Sequence, residues 1–248
     1  MPRTMLSDEH WSKLRLIMRQ EGVYDKPYLR QTVEGILYRL RVGCPWRDLP
    51  EEFGDWGSIY SRFNDWSRKE KIFNIFKRLV QGPDLEWEFI DGSIVKAHQH
   101  SSGANPDGQA IGKSRGGNST KIHLTVDAYG LPIDFEITGG QVNDIKAAPG
   151  LVERLPLGEF LIADKGYDSE ILRDKIKAKG SIPVIPRRSH SKIGNGDMDW
   201  CLYKYRHLVE NAFARLKHFR SIATRYDKLK RNYRSMVALA CAFWWLPM

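Results

Sequence analysis

Apolar residues recur every three or four positions in the first third of the chain, which is the period of amphipathic helices. The predicted helices cover residues 5–20, 28–41 and, as one or two elements, 58–79. Ser7 is placed to cap the first of them. The Gly- and Pro-rich stretch at 43–57 predicts a compact loop. Residues 1–82 are therefore predicted to form a helical domain, compatible with a helix-turn-helix-like DNA-binding unit.

The pattern changes after "QGPD" at 81–84, where runs of apolar and β-branched residues begin. The predicted strands are 86–98, a hairpin over 120–138 that turns at Tyr129 and Gly130, 159–164 and 181–186, and the predicted helices are 144–155, 169–179 and 202–219. This order predicts a mixed-sheet α/β domain over 83–248. The apolar tail at 236–248 is too short to span a bilayer and is predicted to be a core element.

Charge is distributed unevenly along the chain. The formal net charge is +9, but residues 86–170 carry −6 and residues 171–248 carry +12. A basic surface of this size suggests a polyanionic partner such as nucleic acid, although a merely solvated basic face stays open. The widely spaced cysteines and the absence of a membrane segment predict a cytoplasmic protein without a disulfide framework.

A Gly-, Ser- and Asn-rich stretch at 101–119 is predicted to be a loop. Its "GQAIGKS" resembles a phosphate-binding loop, but only three residues separate the glycines and no strand feeds it, so nucleotide binding is not expected. Lys113 and Arg115 are candidate contacts to a DNA backbone, and a solvated linker is the alternative.

Two aspartates each follow a short apolar run that is predicted to be a strand. Asp91 follows "EFI" and Asp164 follows "FLIA". The carboxyl ends of adjacent strands open onto the ligand crevice of an α/β sheet, and a carboxylate among apolar neighbours is costly unless a cation accompanies it. Each aspartate taken alone is more simply a cap or turn residue, but together they suggest a cation site.

A third carboxylate stands in the basic helix predicted at 202–219, where Glu210 is the only acid. At about 100° per residue, four side chains fall on one narrow stripe beside the apolar face. They are Tyr203, Arg206, Glu210 and Lys217. Glu210 could therefore join the two aspartates, or it could simply pair with Arg206 on a solvated helix.

These residues resemble a known family. The spacing Tyr203-x2-Arg206-x3-Glu210-x6-Lys217 matches the Y-R-E-K signature of bacterial DDE transposases. Two more stretches, "IDGSIVKAH" and "IADKGYD", resemble the family's first and second aspartate motifs. The N-terminal "GILYRLRVGCPWRDLPEEFG" and the loop sequence "GKSRGGNSTKIHL" resemble transposases of the insertion-sequence-five type. The resemblance covers nearly the whole chain.

The resemblance implies a ribonuclease-H-like catalytic domain, a mixed sheet flanked by helices, behind an N-terminal DNA-binding domain. It implies that Asp91, Asp164 and Glu210 hold two Mg²⁺ ions, for which Mn²⁺ substitutes, with Tyr203 and Arg206 in supporting roles. It also implies double-stranded DNA as partner, both the inverted repeats of the element and target DNA, bound by a homodimer at the nucleoid. The candidate DNA contacts are Lys217, Lys113, Arg115, Arg187, Arg188 and Arg215.

Two histidines near the first aspartate motif, His98 and His100, are not expected to be metal ligands, because Mg²⁺ prefers oxygen. Three functions stay open at this point. The first is a transposase that cuts at its inverted repeats and joins the 3′ ends to a target. The second is a transposase-derived protein that only binds DNA, and the third is a nuclease on the same fold.

Overall fold

A computed structural model describes residues 2–101, 108–156 and 158–248. Its α-helices are α1 (Asp8–Gln20), α2 (Leu29–Val42), α3 (Trp56–Arg68), α4 (Lys71–Leu79), α5 (Asp144–Arg154), α6 (Glu170–Ala178), α7 (Trp200–Tyr203), α8 (His207–Lys217), α9 (Arg220–Ala223) and α10 (Lys230–Trp245). Its strands are β1 (Trp87–Ala97), β2 (Gly112–Ser114), β3 (Gly117–Val126), β4 (Pro132–Gly139), β5 (Phe160–Ala163), β6 (Ile182–Val184) and β7 (Thr224–Arg225).

The chain divides into two compact units. The helical unit comprises Met1–Gln81, Lys96–Gln109 and Leu216–Met248, and the sheet unit comprises Gly82–Val95 and Ala110–Arg215. The first crossing between them lies at residues 81–82, where the sequence predicts a domain boundary. The units are not contiguous in sequence, however, so the predicted segment 83–248 contributes to both. The functions assigned to the two predicted domains stay predictions.

The helical unit includes C-terminal residues because α10 packs against α3 and α4. This helix contains the apolar tail that the sequence predicts to be a core element, and Met236, Val237 and Cys241 are fully buried in it. A buried ion pair also joins the N-terminal helices to the C-terminal segment, because Arg39 Nη2 lies 3.2 Å from Asp227 Oδ1. Residues far apart in sequence therefore share one core.

The sheet has the order β2-β3-β1-β5-β6, and β4 also pairs with β3. The pairs β2–β3 and β3–β4 are antiparallel, whereas β1–β5 and β5–β6 are parallel. The helix α5 packs on β3 and β4, and α6 packs near β6. A mixed sheet of this order, flanked by helices, is the ribonuclease-H-like architecture that the resemblance implies, and the predicted fold class is confirmed.

Local sequence explains several elements. Ser7 accepts a hydrogen bond from the backbone N–H of His10 and caps α1, as predicted. The hairpin of β3 and β4 turns at Tyr129 and Gly130, as predicted. The φ of 76° at Gly130 is a left-handed conformation that favours glycine.

Three predictions differ from the structure. The helix expected at 202–219 is interrupted by a 3₁₀ turn at Lys204–Arg206, so α7 and α8 are separate. The loop expected at 101–119 contains β2, while its residues 102–107 lie outside the described part of the chain. Asp91 does not end its strand, because β1 continues to Ala97. No helix in the described ranges is long and apolar enough to cross a membrane.

Candidate active site

The register of two parallel strands brings the two predicted aspartates together. In the β1–β5 pair, Ile90 lies opposite Ala163, so the next residues, Asp91 and Asp164, are neighbours across the pair. Adjacent strands lie about 4.8 Å apart. Both carboxylates therefore lie at the same level of the sheet, Asp91 within β1 and Asp164 directly after β5.

The surroundings of Asp91 disfavour its ionised form. Burial raises the pKa of the Asp91 carboxyl, and the negative charges of Asp164 and Asp144 raise it further. The backbone N–H of Gly92, which donates to Asp91 Oδ1 at 2.7 Å, and the guanidinium of Arg206 act in the opposite direction. The carboxylates of this cluster therefore repel one another, and a nearby positive charge would stabilise their ionised forms.

Arg206 supplies positive charge from the segment before α8. Its Nη1 donates to Asp91 Oδ2 at 2.9 Å, and its Nη2 donates to Glu210 Oε1. Burial lowers the pKa of Arg206, but the charges of Asp91 and Glu210, and also of Asp164, raise it above its usual range. One guanidinium therefore bridges the first and third predicted acids and lies in the electrostatic field of the second.

Two contacts fix the segment that carries Arg206 and Glu210. The Tyr205 ring packs on Trp87 at the start of β1, with centroids 5.0 Å apart. At the β3–β4 turn, a Cβ on Gly130 would lie 3.4 Å from the backbone oxygen of Leu208. That distance is an ordinary van der Waals contact, so the β3–β4 turn lies against the first turn of α8, where Glu210 lies.

Sequence reasoning missed a fourth carboxylate, Asp144, at the start of α5. It forms an ion pair with Lys121 at 3.1 Å and lies 3.4 Å from His123 Nδ1. Burial alone raises the pKa of Asp144, but hydrogen bonding to His123 and the charge of Lys121 outweigh it and hold the pKa below its usual range. A Cβ on Gly92 would lie 2.3 Å from Asp144 Oδ1, so the glycine beside Asp91 makes room for this carboxylate.

The only sequence signals for this cluster are the glycine after Asp91 and the alternation of Lys121 and His123 along a strand, which places both side chains on one face.

Tyr167 was missed as well. It is fully buried three residues after Asp164, and its hydroxyl has no hydrogen-bond partner among the described residues.

An open cleft lies beside Asp164. It is lined by Asp164, Lys165, Gly166, Arg188, Ser189 and His190. The backbone N–H of Arg188 donates to Asp168 Oδ2 at 2.8 Å, which fixes the loop that carries this arginine. The predicted contact residue Arg188 therefore lines the same cleft as a predicted metal ligand, together with Lys165, which the sequence reasoning did not select.

The other predicted DNA contacts have varied surroundings. Lys113 is exposed on β2 and Arg115 is exposed in the β2–β3 turn, while Arg215 and Lys217 are exposed on α8. Arg187 differs, because its side chain is only 6% exposed and its guanidinium pairs with Glu170 and Asp197. Two carboxylates therefore already neutralise the Arg187 guanidinium, and its contact with DNA stays a prediction.

The chemistry of the donor set fits a hard divalent cation. Asp91, Asp164 and Glu210 offer carboxylate oxygens, which are the ligands that Mg²⁺ prefers. The three acids outnumber the single positive charge of Arg206, so the cluster keeps an excess of negative charge that a divalent cation would neutralise. Within the described part of the chain, no three His, Cys, Asp or Glu side chains are close enough together to hold a metal ion. The acids would therefore have to close up, and Arg206 would have to release them.

Comparison with known proteins identifies the family. A family model described as "Transposase DDE domain" matches residues 89–245, which is more than half of the chain. The chain belongs to the DDE transposase family. A second model, "Putative transposase of IS4/5 family (DUF4096)", matches residues 6–76. The resemblance seen in the sequence is thereby confirmed, including its insertion-sequence type.

Individual relatives agree with this transposase assignment. A protein of Brucella ovis, "Putative transposase for insertion sequence element IS6501", is 39% identical over 132 residues that cover 52% of this chain and 98% of the relative. "Putative transposase for insertion sequence element IS402" of Burkholderia cepacia is 32% identical over 133 residues, covering 49% of this chain and 60% of the relative.

Among solved structures, the cryo-EM structure of the piggyBac transposase synaptic complex with hairpin DNA matches 77% of this chain and 44% of its own chain, at 15% identity. The TM-score of this match is 0.39.

Proposed function

We propose that this transposase binds the terminal inverted repeats of its element and catalyses Mg²⁺-dependent DNA cleavage and strand transfer. The observation that carries the proposal is the contact of one guanidinium, that of Arg206, with both Asp91 and Glu210. Asp164 lies beside Asp91 in register. A set of acids that already gathers around one cationic group is suited to hold metal cations.

Asp91, Asp164 and Glu210 would hold two Mg²⁺ ions, and Mn²⁺ would substitute. When bound, the ions activate the attacking water or 3′-hydroxyl and stabilise the leaving oxygen of an in-line phosphoryl transfer. Arg206, once released from the acids, is free to meet a DNA phosphate bidentately. Tyr203 supports it, since the Arg206 guanidinium lies 6.0 Å from the centre of the Tyr203 ring.

Basic residues around the carboxylate cluster would bind the DNA backbone, which the acids alone would repel. The proposed backbone contacts are Lys113, Arg115, Arg188, Arg215 and Lys217, all outside the carboxylate cluster. The N-terminal helices are proposed to recognise the inverted repeats. A homodimer at the nucleoid in the cytoplasm is proposed, because two element ends must be processed together.

The test is to incubate the protein with Mg²⁺, a target duplex and a labelled oligonucleotide duplex that ends in the element's inverted repeat. The repeat is found as short imperfect inverted sequences that flank the gene. Cleavage at the repeat end followed by joined products is the expected result. The same mixture without Mg²⁺, or with Asp164→Asn protein, is the matched control and should give neither.

The two other functions give different products in the same assay. Binding without any cleavage would favour a transposase-derived DNA-binding protein. Cleavage without joined products would favour a nuclease. Either result would contradict the proposal.

A further inference from the structure

Tyr167 presents a buried hydroxyl that nothing in the fold explains. The residue is completely inaccessible to solvent, and its hydroxyl finds no hydrogen-bond partner among the described residues. Leaving such a donor unsatisfied costs the full free energy of removing it from water. Phenylalanine would fill the same apolar volume without this cost. The hydroxyl therefore needs a reason to be there.

Tyr167 ends the 3₁₀ turn Lys165–Tyr167, which Asp164 caps and which packs against α5, the helix that begins at Asp144. Burial raises the pKa of the Tyr167 hydroxyl well above its usual value, and the charges of Asp144, Asp91 and Asp164 raise it further. The group is consequently neutral and keeps its proton. It is a hydrogen-bond donor for which no acceptor is found among the described residues, and it lies in the electrostatic field of these carboxylates.

The backbone holds Tyr167 and Asp164 on one short turn. The Tyr167 N–H donates to the Asp164 backbone oxygen at 3.0 Å, and Asp164 Oδ1 accepts from the Gly166 N–H at 2.7 Å. These bonds hold the backbone of Tyr167 next to Asp164. A carboxylate that moved within reach, or a bridging water, would satisfy the hydroxyl.

We infer that Tyr167 is a positioning residue for the divalent cation, and that its hydroxyl donates to the site's carboxylates, directly or through a water, when the cation is bound. The inference rests on the proposed function. A neutral donor suits this task better than Lys or Arg, because it orients carboxylate oxygens without competing with the metal for their charge. Removing an outer partner of this kind typically weakens metal binding about 10- to 100-fold.

A second buried tyrosine offers a matched control. Tyr233, in the helical unit, is also completely inaccessible, but its hydroxyl donates to the Ile222 backbone oxygen at 3.0 Å. Tyr233→Phe leaves that carbonyl without its partner, whereas Tyr167→Phe removes an unsatisfied donor. The two substitutions delete the same atom in opposite circumstances.

The experiment measures Mn²⁺ affinity by electron paramagnetic resonance and the melting temperature without metal, on the full chain. Binding at the site is defined as the part that Asp164→Asn removes. For Tyr167→Phe we expect about tenfold weaker Mn²⁺ binding and an unchanged or higher melting temperature. For Tyr233→Phe we expect unchanged Mn²⁺ binding and a lower melting temperature.

The Mn²⁺ affinity of Tyr167→Phe decides the inference. An affinity equal to that of the wild type would overturn it, whatever the melting temperature does, while the proposed function would stand. A wild-type protein with no Mn²⁺ binding that depends on Asp164 would overturn both.

Discussion

Two arginines of this protein each pair with acids, in different surroundings. Arg39 and Asp227, in the helical unit, are both 7% exposed, and Arg39 also stacks over Trp46 at 4.4 Å. Arg206, in the sheet unit, is 21% exposed and bridges Asp91, which is 18% exposed, and Glu210, which is 50% exposed. The Arg39–Asp227 pair is buried in the core of the helical unit. The Arg206 contacts are accessible to water, so a cation could replace the guanidinium.

The two arginine sites differ in the free energy that is lost when their ion pairs break. Removing one partner of a buried pair leaves an uncompensated charge in the core and costs about 3–5 kcal/mol. An ion pair that water screens contributes only about 0–1 kcal/mol, and water reaches the Arg206–Glu210 pair, because Glu210 is 50% exposed. The sheet unit can therefore lose the Arg206 contacts when a cation binds, whereas the helical unit needs its pair to stay folded.

The largest expected effect comes from the open site. Asp91→Asn, Asp164→Asn and Glu210→Gln should each lower Mg²⁺-dependent cleavage by about 10³-fold or more, because each removes a proposed metal ligand. DNA binding and the free energy of unfolding should change little. Cleavage rates, DNA affinity and urea titrations measure the three quantities. A variant with near-normal cleavage would remove its residue from the site.

The buried pair should show the opposite behaviour. Asp227→Asn should lower the free energy of unfolding by about 3–5 kcal/mol in urea titrations, because Arg39 then stays buried without a counter-charge. The Mn²⁺ affinity of the protein that remains folded should not change. Asp65→Asn, in an exposed pair with Arg68, is the control and should have little effect. Equal losses in the two variants would contradict the comparison.

Glu88 is a third case, a buried acid for which no ion pair is found within the described ranges of the chain. It lies three residues before Asp91 on the opposite face of β1, and burial raises its pKa from 4.5 to about 7. Because the folded state holds this proton more tightly than the unfolded state, the contribution of Glu88 to stability is greatest below pH 4.5 and is lost as the pH rises through about 7.

Glu88→Gln should remove this part of the pH dependence, which amounts to about 3 kcal/mol. Urea titrations at a series of pH values between 4 and 8 measure it, as the difference between variant and wild type. Glu86→Gln, at an exposed position, is the matched control and should follow the wild-type curve. A Glu88→Gln curve parallel to that of the wild type would refute the pKa assignment.

The smallest expected effect belongs to an exposed charge. Lys217→Ala, at the end of α8, should weaken binding to the element end a few-fold and lower the salt dependence of binding by about one counterion. Fluorescence anisotropy at several salt concentrations measures both. Lys217→Arg retains the charge and should retain the salt dependence. An unchanged salt dependence in Lys217→Ala would exclude a phosphate contact.

Periodicity and motif spacing were sufficient for much of the fold. The helices of residues 1–82, the hairpin turn at Tyr129 and Gly130, and the parallel strands that carry Asp91 and Asp164 follow from local patterns that the core then stabilises. The joining of α10 to the N-terminal helices was not predictable, because it depends on which apolar surfaces meet in three dimensions.

Only those residues of the site that local sequence patterns connect could be predicted. A regular helix was assumed for residues 202–219, and the stripe of Arg206 and Glu210 survives the 3₁₀ turn only because they are four residues apart. Asp144 and Tyr167 have no spacing that connects them to Asp91. Tertiary packing brings them close, and single-sequence patterns do not encode it.

The central claim is that Asp91, Asp164 and Glu210 form one metal site. Iron-directed cleavage tests it most directly, because Fe²⁺ bound in place of Mg²⁺ generates radicals that cut the polypeptide nearby. With ascorbate and peroxide, we predict cuts close to residues 91, 164 and 210, all suppressed by excess Mg²⁺. Cuts confined to other segments, or cuts at these positions that Mg²⁺ does not suppress, would contradict the claim.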